Sequence, residues 1–170
     1  MSKERDYRVG ARDVDRRIDL LTKSRHLGLQ EMYVKDRKFT LKKYECDIDV
    51  PRYRLQNHRT LTTEQPNFIK EHGLKDNHFS DNESDQAQID QHTILYNTAL
   101  TKGKKVGFTS EMSSGQKQPI IIDGNGLIIS GNTRTAFWRE LYNSDKTKYR
   151  KFGKIEFLLY NTQNEKDIRE

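Results

Sequence analysis

The sequence lacks the residues that disulfide, zinc and membrane-spanning proteins need. It contains one cysteine, Cys46, and five histidines scattered along 170 residues. A single cysteine excludes an internal disulfide, and without a second thiol we do not expect a structural zinc site. No apolar run exceeds a few residues, and the charged start lacks the apolar stretch of a signal peptide. We therefore expect a cytoplasmic protein that does not enter the membrane.

Large apolar residues are scarce as well. Leu, Ile, Val and Phe make up about 22% of the chain, close to the level of roughly 20% below which highly charged chains stay disordered. Charged residues reach 33%, and 31 Lys and Arg against 25 Asp and Glu give a net charge of +6. The composition predicts one modest core and a basic balance that permits contact with phosphate groups without requiring it.

Residues 1–40 are predicted to form a charged, mobile arm that carries one short helix. Val14, Ile18 and Leu21 recur at helical spacing between charged residues, which predicts an amphipathic helix over 11–22. Two interpretations of its apolar stripe stay open. The stripe either packs on the domain or contacts a nucleic acid or another partner.

The clearest structural signal is a predicted hairpin followed by a helix. Two β-branched runs flank Asp123-Gly124-Asn125-Gly126, whose residues readily take positive φ angles. Both runs are apolar at successive positions, so we expect the hairpin to be covered on both faces. The hairpin and the following helix must cover each other's apolar faces. Four side chains are therefore predicted to be buried: Ile121, Ile128, Phe137 and Leu141.

Together these patterns predict an α/β (α+β) fold, a small mixed sheet with a central hairpin and flanking helices. The domain would span 41–170, with an insertion at about 74–114. A further helix is predicted to begin at Asn161-Thr162 and is cut off at Glu170, which favours further domains after that residue. The strands are predicted near 46–50, 119–123, 126–130 and 155–160, and the helices near 64–72, 85–101 and 133–142.

The turn between the hairpin and its helix is the first candidate site. Gly131, Asn132, Thr133 and Arg134 open the helix, so unpaired backbone N–H groups, small polar side chains and one guanidinium would face the same point. The helix dipole favours negative charge there, and an arginine can bind two phosphate oxygens. An anion site and a plain helix cap with a surface arginine both fit this pattern.

A second candidate is the polar, basic and aromatic segment from Pro51 to Thr60, which has no period and is interpreted as a loop. Its cationic and aromatic side chains alternate as in proteins that bind single-stranded nucleic acid, although a solvated basic loop fits equally. His92, on the apolar face of a predicted helix, is more typical of a hydrogen-bonded core histidine than of a ligand or base. The predicted nucleic-acid-binding residues are Arg52, Tyr53, Arg54 and His58, beside Arg59.

Three motifs in order resemble the ParB/sulfiredoxin-like superfamily (ParB N-terminal domain-like) over residues 45–160. Gly115-Gln116-Lys117-Gln118-Pro119 matches its G-x-x-Q-P segment, and Gly131-Asn132-Thr133-Arg134 matches its G-x-x-R turn. Asn57-His58-Arg59 ahead of a short helix looks like its first box. The resemblance implies a cytoplasmic, DNA-associated protein with this fold.

The resemblance also implies a ligand, a nucleoside triphosphate with Mg²⁺, which the domain binds and could hydrolyse. Residues 131–134 would hold the phosphates with Arg59 as a second phosphate ligand, and Gly115 and Gln118 would lie on the base side. Asn132 stands where sulfiredoxins carry their catalytic cysteine, so reduction of sulfinic acids is not implied. Partition proteins have two adjacent arginines in the turn and a later E-N-x-x-R box. Here Thr133 replaces one arginine and only Asn164-Glu165-Lys166 follows, so a preference for CTP is not implied either.

Two other functions remain open. Some relatives of this fold are described as metal-dependent DNases, a chemistry that needs clustered carboxylates, and near the turn the sequence offers only Asp123 and Glu140. The other function is that of a non-catalytic adaptor that binds DNA or protein through the basic segment. We expect no metal site built from the protein's own residues.

Overall fold

The chain forms a mixed sheet with helices on one face. The computed structural model describes residues 6–34, 36–61, 63–106 and 114–160, apart from the side chains of residues 34, 58, 59 and 102–106. The helices are α1 (Val14–Thr22), α2 (His58–Leu61), α3 (Glu64–His72), α4 (Asp85–Val106) and α5 (Asn132–Ser144), with a 3-10 turn at Arg150–Phe152. The strands are β1 (Arg25–Val34), β2 (Arg37–Asp47), β3 (Arg52–Tyr53), β4 (Ile120–Ile122), β5 (Leu127–Ser130) and β6 (Lys154–Leu159).

The order of strands in the sheet is β1-β2-β6-β4-β5-β3. Strand β2 pairs antiparallel with β1 and β6, and β4 pairs antiparallel with β5. Two pairs are parallel, β4 with β6 and β3 with β5. The mixed sheet confirms the predicted α/β class, and the predicted runs after residue 118 do share one sheet.

The hairpin of β4 and β5 forms as the Asp-Gly-Asn-Gly sequence predicts. The Asp123 carboxylate accepts the backbone N–H groups of Asn125 and Leu127 at 2.8 and 3.0 Å, which closes the turn. Gly126 has a φ of +79°, and a Cβ there would meet the Arg17 side chain at 2.7 Å. The turn therefore needs glycine for its backbone angle and for the close approach of Arg17.

The core lies between the sheet and helices α4 and α5. Ile128 and Phe137 are buried, as predicted. Ile121 and Leu141 are only half-buried, so the prediction was wrong for these two. Strand alternation turns Ile121 away from the helices, and its neighbours in β4 face them instead. The core side chains on the helix side of the sheet include Ile120, Ile122, Leu95, Ala99, Ala136 and Trp138.

The opposite face of the hairpin is apolar too, in agreement with its uninterrupted apolar runs. Ile121 and Ile129 pack against a second cluster on that face of the sheet. The buried members of this cluster are Phe39, Leu41, Leu158 and Tyr160.

The predicted mobile arm over residues 1–40 is wrong for its described part. Helix α1 lies within the predicted 11–22, and its Leu21 joins the main core. Strands β1 and β2 form a long antiparallel pair, and β2 in turn pairs with β6. Apolar and polar residues do not alternate regularly along β1, so its sequence lacks the pattern that marks a half-buried strand. The sheet therefore begins at Arg25, well before the first predicted strand near 46–50.

The predicted insertion at 74–114 contributes to the core. Helix α4 extends from Asp85 to Val106 and packs on α5. Its Leu95 and Ala99 belong to the main cluster, while Ala87 and Ile94 pack with Leu55 and Phe79 in a third cluster. Residues 107–113 lie outside the described part. The described part of the insertion is thus a structural layer of the domain.

Truncating the centre of the hairpin should destabilise the whole domain. We expect Ile128→Ala to lower the free energy of unfolding by about 2–5 kcal/mol, because Ile128 is fully buried between the sheet and the helices. Leu100→Ala, at an exposed position of α4, is the matched control and should change stability by much less. Chemical denaturation measures both, and an unchanged midpoint for Ile128→Ala would contradict this packing.

Candidate functional site

A cavity of about 240 Å³ lies at the turn that joins β5 to α5. This is the turn that the sequence predicts as an anion site, and it lies at the end of β5 remote from the Asp123 turn. No side chain caps the start of α5, and the first bond within the helix runs from the Thr135 N–H to the Gly131 carbonyl at 3.0 Å. The lining residues are Asn57, Ile129, Ser130, Gly131, Asn132, Thr133 and Arg134.

Gly131 shapes the cavity. Its φ is +102°, and a Cβ there would meet Cγ2 of Ile120 at 2.5 Å. Only glycine fits, because the backbone takes a left-handed conformation directly over a core side chain. The first N–H groups of a helix have no acceptor within the helix, so those of Asn132 and Thr133 remain for a ligand.

Thr133 offers a hydroxyl at the cavity. Its side chain is only 7% exposed and yet lines the cavity. Among the described residues its hydroxyl makes no hydrogen bond. The side chain lines the cavity and its hydroxyl has no partner among the described residues, so the hydroxyl is available to a hydrogen-bonding ligand there.

The Asn132 side chain makes two hydrogen bonds within the fold, and its prediction as a phosphate ligand stays a prediction. Its Nδ2 donates to the Ile128 carbonyl at 3.0 Å, and its Oδ1 accepts the backbone N–H of Arg54 at 3.3 Å. The amide therefore ties the turn to β5 and to the segment after β3. Its backbone N–H, at the start of the helix, remains for a ligand.

The structure brings the predicted G-x-x-Q segment to the turn. Arg134 donates from Nη1 to the Gln118 carbonyl at 3.0 Å. Gln116 holds this segment on β6, because its amide donates to the Glu156 carbonyl and accepts the Glu156 N–H, both at 2.8 Å. Gly115, with a φ of +125°, begins the segment. The two motifs that the resemblance assigns to the base and to the phosphates are thus neighbours.

The first box also lies near the turn. Asn57 lines the cavity directly before α2. The side chains of His58 and Arg59 lie outside the described part of the chain, so the role of Arg59 as a second phosphate ligand and the role of His58 in nucleic-acid binding stay predictions.

Arg52 and Tyr53 are not surface residues, and their prediction as nucleic-acid contacts is wrong. Both are fully buried, and Arg52 forms an ion pair with Asp85 at 2.7 Å. The Tyr53 ring lies 4.9 Å from the guanidinium carbon of Arg139. Arg52 and Tyr53 form the short strand β3, but in sequence they resemble part of a basic, aromatic loop. The sequence does not reveal their burial, because their partners Asp85 and Arg139 lie far along the chain. Arg54 is half-buried.

His92 is a hydrogen-bonded core histidine, as predicted. It is 2% exposed, its Nε2 lies 2.6 Å from Oε1 of Glu140, and its Nδ1 lies 2.6 Å from the Tyr53 hydroxyl. The Tyr7 hydroxyl donates to the same Glu140 oxygen at 2.8 Å. Burial raises the pKa of Tyr53 to about 12, so its hydroxyl stays protonated and donates to Nδ1 of a neutral His92.

The carboxylates that the nuclease alternative needs are engaged elsewhere. Asp123 closes the hairpin turn, and Glu140 accepts from His92 and Tyr7. Neither lines the cavity. In the described part of the chain no three His, Cys, Asp or Glu residues are grouped to hold a metal ion.

A larger cleft of about 960 Å³ lies between the N-terminal segment and the end of α5. Part of its charged lining is already paired, Arg8 with Asp6 and Asp47 with Lys154, each at 2.6 Å. It contains no helix N-terminus aimed at a common point. We therefore place the candidate site at the smaller cavity despite its size.

Comparisons of this chain with protein-family models, with curated proteins and with solved structures find no match. The resemblance to the ParB/sulfiredoxin-like superfamily therefore stays a prediction. Among the described residues, no helix has both the length and the apolar character needed to span a membrane.

The His92 network should make the folded state sensitive to acid. Burial lowers the pKa of His92 below its ordinary 6.5, and the hydrogen bond from His92 lowers the pKa of Glu140 below its ordinary 4.5. The unfolded chain therefore binds more protons as the pH falls, and the stability that His92 contributes is lost from about pH 6.5 downward.

We expect the melting temperature to fall between about pH 7.5 and about pH 5.5, and His92→Gln to remove much of this dependence. His26→Gln, at an exposed position of β1, should melt with the pH dependence of the parent chain. Thermal melts followed by circular dichroism give the comparison. Equal slopes for the parent chain and His92→Gln would show that this network does not set the acid sensitivity.

Proposed function

We propose that the turn at Gly131–Arg134 binds the phosphate groups of a nucleoside triphosphate. The observation that carries this proposal is the convergence of three kinds of donor on one cavity. They are helix N–H groups, a Thr133 hydroxyl without a partner among the described residues, and the Arg134 side chain. Phosphate is the biological anion that such a set of donors suits best. The net charge of +6 supports the approach of an anion.

The size of the cavity limits what it encloses. Ligand pockets that bury a whole small molecule usually measure about 300–1,000 Å³, and this one measures about 240 Å³. The cavity would hold phosphate groups, while the sugar and base extend along the neighbouring segment from Gly115 to Gln118. Gln118 is exposed beside Arg134, which would leave its amide free to hydrogen-bond a base.

A Mg²⁺ ion would be held mainly by the phosphate oxygens in this arrangement. The lining offers two hydroxyls, those of Ser130 and Thr133, and no carboxylate. Mg²⁺ neutralises phosphate charge when it is bound. The described lining also contains no carboxylate or histidine that could act as a general base. These observations support binding better than hydrolysis.

The DNA association that the resemblance implies has little support from the described surface. Arg52 and Tyr53 are buried, so the adaptor function loses its predicted cationic and aromatic contacts. Nucleotide binding is the function that the turn supports best.

Removing the guanidinium should weaken nucleotide binding. We expect Arg134→Ala to reduce affinity by about 2–4 kcal/mol, since it deletes a charge-assisted contact. Calorimetry with ATP, CTP and GTP in Mg²⁺ measures the effect, and circular dichroism checks that losing the bond to Gln118 leaves the fold intact. Arg150→Ala, at an exposed position of the 3-10 turn, is the matched control. Arg139 cannot be the control, because it is buried and donates to the carbonyls of Ile48 and Pro51.

A second variant tests the hydroxyl alone. Thr133→Val keeps the shape of the side chain, and we expect it to weaken binding by about 1.5–3 kcal/mol, the range for hydrogen bonds to charged groups. Gly131→Val is a poorer test, because a Cβ at that position already collides with Ile120 and would disturb the fold. No measurable nucleotide binding by the parent chain, or equal affinities for the parent chain and Arg134→Ala, would contradict the proposal. The turn would then serve only to begin the helix.

A further inference from the structure

Strand β1 is an edge of the sheet with an unpaired outer side in the described part of the chain. It pairs with β2 on one side only, over Arg25–Val34. The other side presents backbone N–H and C=O groups that could pair with a further strand. Long edge strands are usually protected from such pairing by charges, prolines or bulges. The β1 edge has a bulge between His26 and Gly28 and is regular beyond it, from 28 to 34.

The regular half of β1 carries two large exposed apolar side chains. Leu29 is 66% exposed and Tyr33 is 68% exposed. They are four residues apart on one strand, so they lie on the same face of the sheet, with Glu31 between them. They are the two most exposed of the four large apolar side chains that are exposed in the described part. Apolar exposure is thus concentrated on this edge.

We propose that a second copy of this chain pairs with β1 through its own β1. The two strands would run antiparallel, with the two-fold axis at Glu31. Each Leu29 then lies opposite the other copy's Tyr33, and residue 28 lies opposite residue 34. Two equivalent pairs of an aromatic and an aliphatic side chain result, a favourable combination across strands.

The charges on this face allow that register. Glu31 would lie opposite its own copy, which by itself is repulsive. Each Glu31, however, is already bridged by Lys38 of its own chain at 2.8 Å. Two lysines and two glutamates would therefore form one neutral cluster on the axis.

Neighbouring registers fit less well. Centring the pair on Gln30 puts Leu29 opposite Glu31, and centring it on Met32 puts Tyr33 opposite Glu31. If the two-fold axis lay between two residues, odd-numbered residues of one copy would pair with even-numbered residues of the other. Leu29 and Tyr33 would then lie opposite residues that belong to the other face of β1, since side chains alternate. The register at Glu31 also uses only the regular residues beyond the bulge.

The contact is small, so the dimer should be weak. Interfaces much below about 1,200 Å² belong to transient complexes, and only seven residues of each copy would pair. The proposal does not depend on the nucleotide site, because β1 is one edge of the sheet and β5 lies next to the strand at the other edge, β3. Failure of one proposal therefore leaves the other standing.

Sedimentation equilibrium over a concentration series tests association. The full chain should show a monomer and a dimer in concentration-dependent proportion. The double variant Leu29→Lys, Tyr33→Lys should be monomeric at every concentration, with an unchanged circular dichroism spectrum because both side chains are exposed. A single monomeric species for the parent chain, or an unchanged dimer in the double variant, would overturn the proposal.

Cysteine cross-linking tests the register. Glu31→Cys lies on the axis and should form an intermolecular disulfide under mild oxidation. Thr40→Cys is the matched control, since Thr40 is exposed and directly opposite Glu31 but one strand further from the edge. The native Cys46 should not form a disulfide under these conditions, because burial raises its pKa to about 12. Linking of Thr40→Cys as readily as Glu31→Cys would also overturn the proposal.

Discussion

Two buried guanidinium groups converge on the backbone carbonyl of Ala11. Arg17 donates to it from Nη1 at 2.7 Å, and Arg52 donates from Nε at 3.1 Å. Burying a charge is costly unless it is paired, and each arginine also meets a carboxylate, Glu83 for Arg17 and Asp85 for Arg52. The carboxylates lie just before and at the start of α4. This cluster therefore joins the N-terminal segment, β3 and α4 at one point in a domain with few large apolar residues.

The helix that begins at the candidate site is also held by a buried arginine that donates to backbone carbonyls. Arg139 donates from α5 to the carbonyls of Ile48 and Pro51, so the helix is held against the segment that leads into β3. At the start of the helix, the Asn132 amide bonds to the Ile128 carbonyl in β5 and to the backbone N–H of Arg54. The start of α5 is thus fixed both to β5 and to the segment after β3. A cavity at such a fixed helix start has its donors oriented before a ligand arrives, which reduces the entropy lost on binding.

Local signals in the sequence were enough for the hairpin, the turn and helices α3 and α5, because turn residues and apolar periods act over a few positions. They were also enough to place residues 131–134 together at a helix start. They failed for Arg52 and Tyr53, since a buried arginine is indistinguishable from a surface arginine until its distant partners are known. They failed for β1, whose exposed faces carry no apolar alternation. The Thr133 hydroxyl has no partner among the described residues, and this had no sequence signal because it depends on the three-dimensional surroundings of the side chain.

The contacts of the N-terminal segment reach across most of the chain. Arg17 donates to the carbonyl of Asn125, 108 positions later, and Tyr7 donates to Glu140, 133 positions later. Contacts of such separation close large loops, which slows folding relative to proteins built from local contacts. During synthesis, the N-terminal segment of the domain cannot find these partners until α5 has been made. The domain should therefore complete its fold only after nearly all of its residues have been translated.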